Sequence, residues 1–344
     1  MAVLTFIGLG LAGEKGLTKE ASEALEKSNI VYLETYTNPI PNNLAKALNA
    51  QEASRTFVED GRKILAEANK INVALLCYGD PMVATTHMEL RIRAERQDIK
   101  TRVIHNASIY SAIAGETGLH SYKFGRTVTM TRAAPAKNLY VYHSLQANLL
   151  NGLHTLILLE YDKGSEFFLS PNIAIKSLLE TEDEQKKLVI PKDCFMIVCS
   201  RIGRKDQKIV ADNADSLSKK MFGKPPCAMI LAGELHYTEE EALQVLCKTP
   251  KIAIKNNSAR VRVQAVEMVT KYVAKAKKAL QQARLQAEQK GKKFDDLFEN
   301  VELYTLDAER FLNEGKHELA ILSIGYAEGL LDALNFTNEL RVEW

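Results

Sequence analysis

The sequence predicts an α/β fold of two lobes, followed by a bundle of three helices. Short apolar runs alternate with helical patterns over roughly the first 250 residues, as in proteins that alternate strands and helices. After about Asn257 only long helical periodicity remains. A chain of 344 residues also exceeds what one hydrophobic core usually organises. The predicted domains are 1–257, with lobes at about 1–162 and 163–257 divided near the loop Lys163–Phe167, and 258–344.

Individual elements follow from these patterns. Strands are predicted at Val3–Ile7, Ile30–Leu33, Val73–Tyr78, Arg102–His105, Thr127–Thr131, Thr155–Leu159, Phe195–Ser200 and Ala228–Ala232. Helices are predicted at Thr18–Lys27, Thr86–Gln97, Asn172–Glu182, Asn213–Met221 and Glu239–Cys247. In the second helix, Thr86 and Glu89 have the spacing of a capping box.

The C-terminal region is predicted to form three helices with opposite charges. They are Ala259–Lys290, Phe294–Asn313 and Lys316–Leu334, separated by breaks at Lys290–Lys292 and Glu314–Lys316. Residues 258–293 carry ten Lys or Arg and two Glu, whereas residues 294–344 carry three Lys or Arg and twelve Asp or Glu. We therefore expect the helices to neutralise one another in part.

The overall composition is that of a soluble protein of the cytoplasm. The 45 basic and 43 acidic side chains give a net charge of +2, which provides no general attraction to nucleic acid or membranes. The five cysteines are scattered and never spaced as Cys-x-x-Cys, which argues against a disulfide framework or a zinc site. No apolar run approaches the ~20 residues of a membrane span. We expect a soluble, unprocessed chain.

The loop after the first strand has two interpretations. Gly8–Gly13 matches G-x-G-x-x-G and Glu34 ends the next strand, which together suggest a dinucleotide site. Such a site needs its helix to begin within the glycine motif, but Gly16 and the expected cap Thr18 delay the helix by about a turn. The glycines could also serve a turn alone.

The segment Gly79-Asp80-Pro81 follows a strand whose composition suggests burial on both faces. Ligands of open α/β sheets bind at such carboxyl ends, and Asp80 could accept a hydrogen bond from an amine or a ribose hydroxyl. Alternatively, Asp80 turns the chain and caps the amides of Met82 or Val83. The residues themselves leave both roles open.

Longer strings of residues resemble a known family. They are Gly79–His87 with Glu89–Ala94, His105–Ala112, and Gly118–Gly125, with further matches at Phe6–Leu11, Gly152–Leu156, Ser200–Gly203 and Gly223–Pro226. Together they closely resemble the diphthine synthase family, which belongs to the tetrapyrrole-methylase-like methyltransferases. The similarity spans about residues 1–255.

This resemblance implies a two-lobed α/β methyltransferase, usually a homodimer, with S-adenosyl-L-methionine bound between the lobes and no metal. The implied cofactor contacts are Leu11, Asp80, Val83, Ser108, Ile109, Leu159, Ile202 and Cys227, the last at a position where the family often has histidine. The implied substrate is elongation factor 2, on which the amine of an aminocarboxypropyl-histidine is methylated in diphthamide biosynthesis. The alternatives are a tetrapyrrole methylase, a dinucleotide-dependent oxidoreductase, or an inactive scaffold.

Methyl transfer from a sulfonium requires mainly alignment, so no catalytic residue is predicted; positioning of this kind contributes on the order of 7–11 kcal/mol. His87, His120 and His154 are possible proton acceptors. Tyr110 and Tyr122 could border a cationic centre.

The last helices resemble a small helical domain of unknown function found in archaeal proteins, through Asp307–Phe311 and Gly325–Ala333. The resemblance suggests an archaeal source and trimethylation of the amine. The basic first helix could bind the substrate factor or RNA, although a self-neutralised bundle is the simpler interpretation.

Overall fold

The computed structural model describes residues 2–37, 39, 43–132, 135–314 and 316–342. For residues 135–137, 252, 255–267 and 317 it describes the backbone alone. Gly315, within the second predicted helix break, lies outside the described residues. The chain forms two compact units, residues 1–256 and 257–344.

The first sheet is fully parallel and has the strand order β3-β2-β4-β1-β5. Its strands are β1 (Val3–Gly8), β2 (Ile30–Glu34), β3 (Gln51–Ala53), β4 (Val73–Cys77) and β5 (Lys100–Ile104). Its helices are α1 (Lys19–Glu26), α2 (Leu44–Ala47), α3 (Arg55–Asp60), α4 (Arg62–Ala68) and α5 (His87–Glu95). Every residue of β4 is buried, as expected for a central parallel strand covered on both faces.

The second sheet is mixed and has the order β11-β10-β12-β7-β6. The remaining strands are β6 (Val128–Met130), β7 (Thr155–Leu159), β8 (Tyr161–Asp162), β9 (Phe167–Phe168), β10 (Phe195–Ser200), β11 (Lys208–Asn213) and β12 (Cys227–Leu231). The helices of this half are α6 (Ile109–Thr117), α7 (Pro135–Leu150), α8 (Pro171–Gln185), α9 (Ala214–Ser218) and α10 (Tyr237–Leu246). The chain changes sheet between β5 and β6, and residues 163–166 connect the small hairpin β8–β9 rather than the two sheets.

All eight predicted strands are present, with ends within two residues of the prediction. The strands β3, β8, β9 and β11 were not predicted, because the first three are only two or three residues long and β11 has a single buried residue. The predicted capping box is wrong: the Thr86 side chain makes no capping hydrogen bond, and the Glu89 amide donates to the Thr86 carbonyl oxygen.

The last three helices are α11 (Lys251–Gln289), α12 (Asp295–Asn313) and α13 (His317–Phe336). The backbone of α11 begins eight residues before the predicted start at Ala259. The predicted neutralisation is present in ion pairs between α11 and α12, since Lys277 lies 2.7 Å from Glu309 and Arg284 lies 2.7 Å from Glu302.

One described helical segment, Glu318–Phe336, is long and apolar enough to cross a membrane by length and composition. The expectation that no such segment exists was therefore too strict. The finding is weak evidence for a membrane span, because core helices of soluble proteins pass the same test. Ala327 and Leu331 of this segment are fully buried in the core of the second unit.

Candidate functional site

The strands β4, β1 and β5 lie side by side, and the loops that follow them meet at one edge of the first sheet. The backbone amide of Gly10 donates to the carbonyl oxygen of Gly79 (3.2 Å), and the amide of Gly79 donates to the carbonyl oxygen of Gly10 (2.9 Å). Gly10 and Gly79 have φ angles of 63° and 71°, which favour glycine. A Cβ on Gly8 would lie 2.5 Å from the Gly79 oxygen. The glycines therefore allow two loop backbones to form one continuous floor.

Asn106, in the loop after β5, ties this floor together. Its side-chain amide donates to the carbonyl oxygens of Gly8 (2.9 Å) and Gly16 (2.8 Å). Its backbone amide donates to Oδ2 of Asp80 (3.2 Å). Asn106 lies in a string that resembles the family, but its role was not predicted, because it depends on loops that are distant in sequence.

Asp80 is 6% exposed, and both of its carboxylate oxygens already have protein partners. Oδ1 accepts from the Met82 amide (2.9 Å), and Oδ2 lies 2.7 Å from Nδ1 of His105 in addition to its bond with Asn106. The turn-forming role considered for Asp80 is therefore present. An ionised carboxylate has about four lone-pair positions, so a further donor can still bind it.

Three of the eight implied contact residues pack in a single apolar cluster. Leu11, Ile109 and Ile202 come from the loop after β1, the start of α6 and the loop after β10. Leu11 also adjoins Gly203, where an added Cβ would lie 2.6 Å from the Leu11 Cβ. The two halves of the first unit thus meet at Leu11, beside the glycine floor.

The other implied contacts are placed less uniformly. Ser108 is 6% exposed and precedes α6, and half-buried Val83 follows Asp80, with its amide donating to the Asp80 carbonyl oxygen (3.3 Å). The Leu159 side chain packs in the cluster on the opposite face of the second sheet from that of Leu11. The buried Cys227 thiol lies 3.3 Å from Oγ of Ser200, and burial raises the pKa of this thiol.

Tyr78 and Arg204 contact each other across the cleft between the two halves of the first unit, and neither was among the predicted site residues. Tyr78 is 8% exposed, and its hydroxyl lies 2.8 Å from the position of an added Cβ on Gly13. Burial raises the pKa of Tyr78 above its usual value. The Arg204 guanidinium carbon lies 5.3 Å from the centre of the Tyr78 ring, so a cation from the second half covers a ring from the first.

The proposed proton acceptors all have protein partners. His87 is fully buried, with Nδ1 2.9 Å from the Pro81 carbonyl oxygen and Nε2 3.2 Å from Oε2 of Glu34. His154 is also fully buried, and its Nε2 lies 2.9 Å from Oε1 of Glu239. His87 and His154 are therefore structural residues rather than solvent-accessible bases.

His120 contacts Tyr122, and the two tyrosines Tyr122 and Tyr110 are exposed. Nδ1 of His120 lies 2.9 Å from the hydroxyl of Tyr122, which is 78% exposed. His120 lies near Glu239, which is also the partner of His154. His154 directly precedes β7, whereas Leu159 is the last residue of that strand. Tyr110 follows Ile109 on α6 and is 43% exposed.

Glu34, Cys77 and His87 form a buried cluster that the sequence did not indicate. One potential metal-ligating atom from each lies within 4.8 Å of the others. Burial, followed by the charges of Glu34 and Asp80, raises the pKa of the Cys77 thiol well above its usual value.

The topology disagrees with a dinucleotide site. In the dinucleotide-binding fold β1 lies beside β2, but here β4 separates them, and Glu34 faces His87. The Thr18 side chain accepts from the Ala21 amide (3.1 Å), so α1 begins beyond the glycine motif, as predicted. This geometry does not favour the oxidoreductase alternative.

Comparisons with known proteins agree with this geometry. The sequence profile of the tetrapyrrole (corrin/porphyrin) methylases matches residues 3–218, and that of a protein family of unknown function, DUF357, matches residues 271–340. Diphthine synthase from Methanosarcina mazei is 36% identical, covering 74% of this chain and 99% of the relative. Diphthine methyl ester synthase from Dictyostelium discoideum is 36% identical, covering 70% of this chain and 96% of the relative.

A crystal structure of diphthine synthase is also similar to this chain. It superposes with a TM-score of 0.66 at 30% identity, covering 74% of this chain and 99% of the other. The last helices lie largely beyond the part shared with these relatives. The chain therefore belongs to the diphthine synthase family of the tetrapyrrole methylases, and it is an S-adenosylmethionine-dependent methyltransferase.

Proposed function

We propose that this protein is a diphthine synthase. It transfers methyl groups from S-adenosyl-L-methionine to the amino group of the aminocarboxypropyl-histidine of elongation factor 2, in diphthamide biosynthesis. Relatives matched over nearly their whole length carry this name. The structural observation that carries the proposal is the convergence of the loops after β1, β4 and β5 on one edge, where Leu11 meets Ile202 and Gly203 of the second half.

The residues at this edge fit the methyl donor. The paired backbones at Gly10 and Gly79 form a floor without side chains, as a ligand lying flat against the backbone requires. Apolar side chains and Asp80 surround it. The proposed contacts are Leu11, Asp80, Val83, Ser108, Ile109, Leu159, Ile202 and Cys227, with Leu159 acting through its backbone because its side chain packs on the other face.

The donor supplies an intrinsically activated methyl group, so the protein's task is to hold the acceptor amine in line with it. Leu11 and Ile202 exclude water from the cleft, and the Asn106 bonds keep the floor rigid. The buried partners of His87 and His154 favour a mechanism in which the amine loses its proton to solvent before transfer.

Mass spectrometry tests the proposed activity. The protein is incubated with S-adenosylmethionine and elongation factor 2 bearing the aminocarboxypropyl group, with unmodified factor as the control. We expect mass increments of one CH₂ each, up to three, on the modified factor alone. Mild base then removes any carboxylate ester and leaves N-methyl groups, a distinction raised by the name of the Dictyostelium relative. The absence of any increment would overturn the proposal.

We also propose an archaeal source, a cytoplasmic location without membrane association, a homodimeric assembly and no bound metal. Light scattering after gel filtration tests the homodimer, which a monomeric mass would contradict.

For the second unit, the ion pairs between α11 and α12 favour internal neutralisation over RNA binding. A tetrapyrrole substrate is not favoured, because the curated relatives at similar identity are named for diphthine.

A further inference from the structure

We propose that Arg204 binds the carboxylate of an α-amino acid group in the cleft. The proposal rests on the proposed function, because both molecules expected there carry such a group. The aminocarboxypropyl side chain of the substrate has a carboxylate beside its amine, and the methionine part of the donor has the same arrangement. The shared ligand chemistry is therefore an α-amino carboxylate.

The position of Arg204 places its charge at the cleft. It follows Gly203, which has a φ of 79° and directly adjoins Leu11. The guanidinium lies over the ring of Tyr78, whose chain neighbour Gly79 forms the glycine floor. Arg204 therefore reaches from the second half of the unit to the residues beside the proposed donor site.

Among the residues that the structure describes, Arg204 has no direct ion pair. The guanidinium is half-buried, and burial is the main reason that the pKa of Arg204 is lowered. The nearby carboxylate of Asp206 is paired with Arg201 at 2.6 Å. Among the described residues, no carboxylate lies within ion-pair distance of Arg204. Asp206 acts on Arg204 only at longer range, and a partly buried cation without a directly paired anion is unfavourable, so the cleft favours an anionic ligand.

The shape of the group favours a carboxylate. The planar guanidinium offers a fork of N–H donors that matches two carboxylate oxygens, while its aromatic contact with Tyr78 limits its rotation. In an α-amino acid group the nitrogen is bonded to the carbon that bears the carboxylate. Holding the carboxylate of the substrate would therefore orient the amine for methylation and keep the carboxylate oxygens occupied.

The experiment compares the full-length wild type with Arg204→Gln, Arg204→Lys and Lys205→Gln. Lys205 is exposed and adjacent, so Lys205→Gln removes the same charge without touching the half-buried group. Calorimetry measures the affinity for S-adenosylmethionine and for its decarboxylated analogue, and kinetics measure KM and kcat for the modified elongation factor. Thermal unfolding verifies that each variant is folded.

We expect Arg204→Gln either to bind S-adenosylmethionine about 10- to 100-fold more weakly or to raise the KM for the modified factor by about 10- to 100-fold. Arg204→Lys should recover part of this loss, and Lys205→Gln should change little. A loss of affinity for the donor but not for its decarboxylated analogue assigns the donor carboxylate. A higher KM for the factor with unchanged donor affinity assigns the substrate carboxylate. Unchanged values in both arms, or an equal effect of Lys205→Gln, would overturn the proposal. If the wild type does not methylate the factor, the proposed function fails by itself, and the donor arm alone decides the role of Arg204.

Discussion

Nε2 of His87 lies 3.2 Å from Oε2 of Glu34, and neither side chain is exposed. Nδ1 of His87 faces the Pro81 carbonyl oxygen, which can only accept, so Nδ1 carries a hydrogen. The Tyr36 hydroxyl also lies 3.4 Å from Nε2. This buried contact between Glu34 and His87 connects the end of β2 to the start of α5.

Replacing Glu34 tests this buried contact. Glu34→Ala leaves Nε2 of His87 buried without its partner, and we expect the free energy of unfolding to fall by about 1–3 kcal/mol. Glu34→Gln should cost less, since its amide can donate to Nε2. Urea unfolding measures both, with exposed Glu23→Ala as the control. Stoichiometric metal in the purified protein would show that Glu34 and His87 hold a cation instead of contacting each other directly.

Replacing Asp80 tests its contribution to the donor site. Asp80→Ala should weaken S-adenosylmethionine binding by about 1–3 kcal/mol, because a buried acceptor and the turn that it forms are both lost. His105→Ala removes only the exposed partner of Asp80 and should change the affinity little. Calorimetry makes the comparison, and an unchanged affinity in Asp80→Ala would leave that residue with a turn-forming role alone.

The contact between Gly203 and Leu11 is testable with a matched glycine. Gly203→Ala and Gly223→Ala place a side chain at φ angles of 79° and 80°, so their backbone strain is similar. Only at Gly203 would the new methyl collide with Leu11, at a cost of about 1–3 kcal/mol. We expect donor affinity to fall in Gly203→Ala and not in Gly223→Ala. Equal losses would mean that the effect comes from backbone strain.

Because of Glu239, the stability of the protein should depend on pH in the acidic range. Burial alone would raise the pKa of Glu239, but hydrogen bonds from His154, the His236 amide and Lys123 outweigh it and hold this pKa well below its usual value. The pKa of Glu239 is lower in the folded protein than in the unfolded chain, where it is about 4.3. The stability that Glu239 contributes is therefore complete above that pH and is lost as the pH falls below it.

The corresponding variant is Glu239→Gln. We expect it to lose about 3–5 kcal/mol of stability at neutral pH, because it breaks the largely buried ion pair with Lys123, and to show a shallower decline in acid than the wild type. Denaturant titrations across the acidic range measure both effects. Parallel curves for the two proteins would contradict the assigned role.

In the second unit, the effect of an alanine substitution on stability should depend on how deeply the replaced side chain is buried. Leu331 is fully buried, so Leu331→Ala should destabilise this unit by about 2–5 kcal/mol, whereas Leu322→Ala, at a side chain in a residue that is 56% exposed, should have little effect. Calorimetric unfolding would show the difference. Similar shifts for both variants would imply that the Leu322 face is covered in solution.

The strongly apolar strands were predicted well from the sequence, because a short and wholly apolar run such as Val73–Cys77 is typical of a buried strand. It missed β11, where only Ala211 of six residues is buried and the pairing with β10 determines the strand. Strand ends and similarity together predict where the donor site lies, and that position stays a prediction. The lobe division was not predictable, because it depends on which strands pair.

Individual roles at the site were less predictable. Asn106, Tyr78 and Arg204 act only because β4 and β5 flank β1 and a second-half loop reaches them. The histidines offered as bases proved to be bonded to partners far along the chain, such as Glu239 for His154. Residue type shows which chemistry is available, whereas partners set by tertiary contacts decide whether it is accessible.

The reciprocal backbone bonds between Gly10 and Gly79 involve no side chain, so neither pH nor salt alters their donors or acceptors. Their two amide hydrogens should consequently exchange slowly with deuterium for as long as the loops stay paired. These protons therefore offer an internal reporter of the cleft floor that can be read without substrate and independently of turnover.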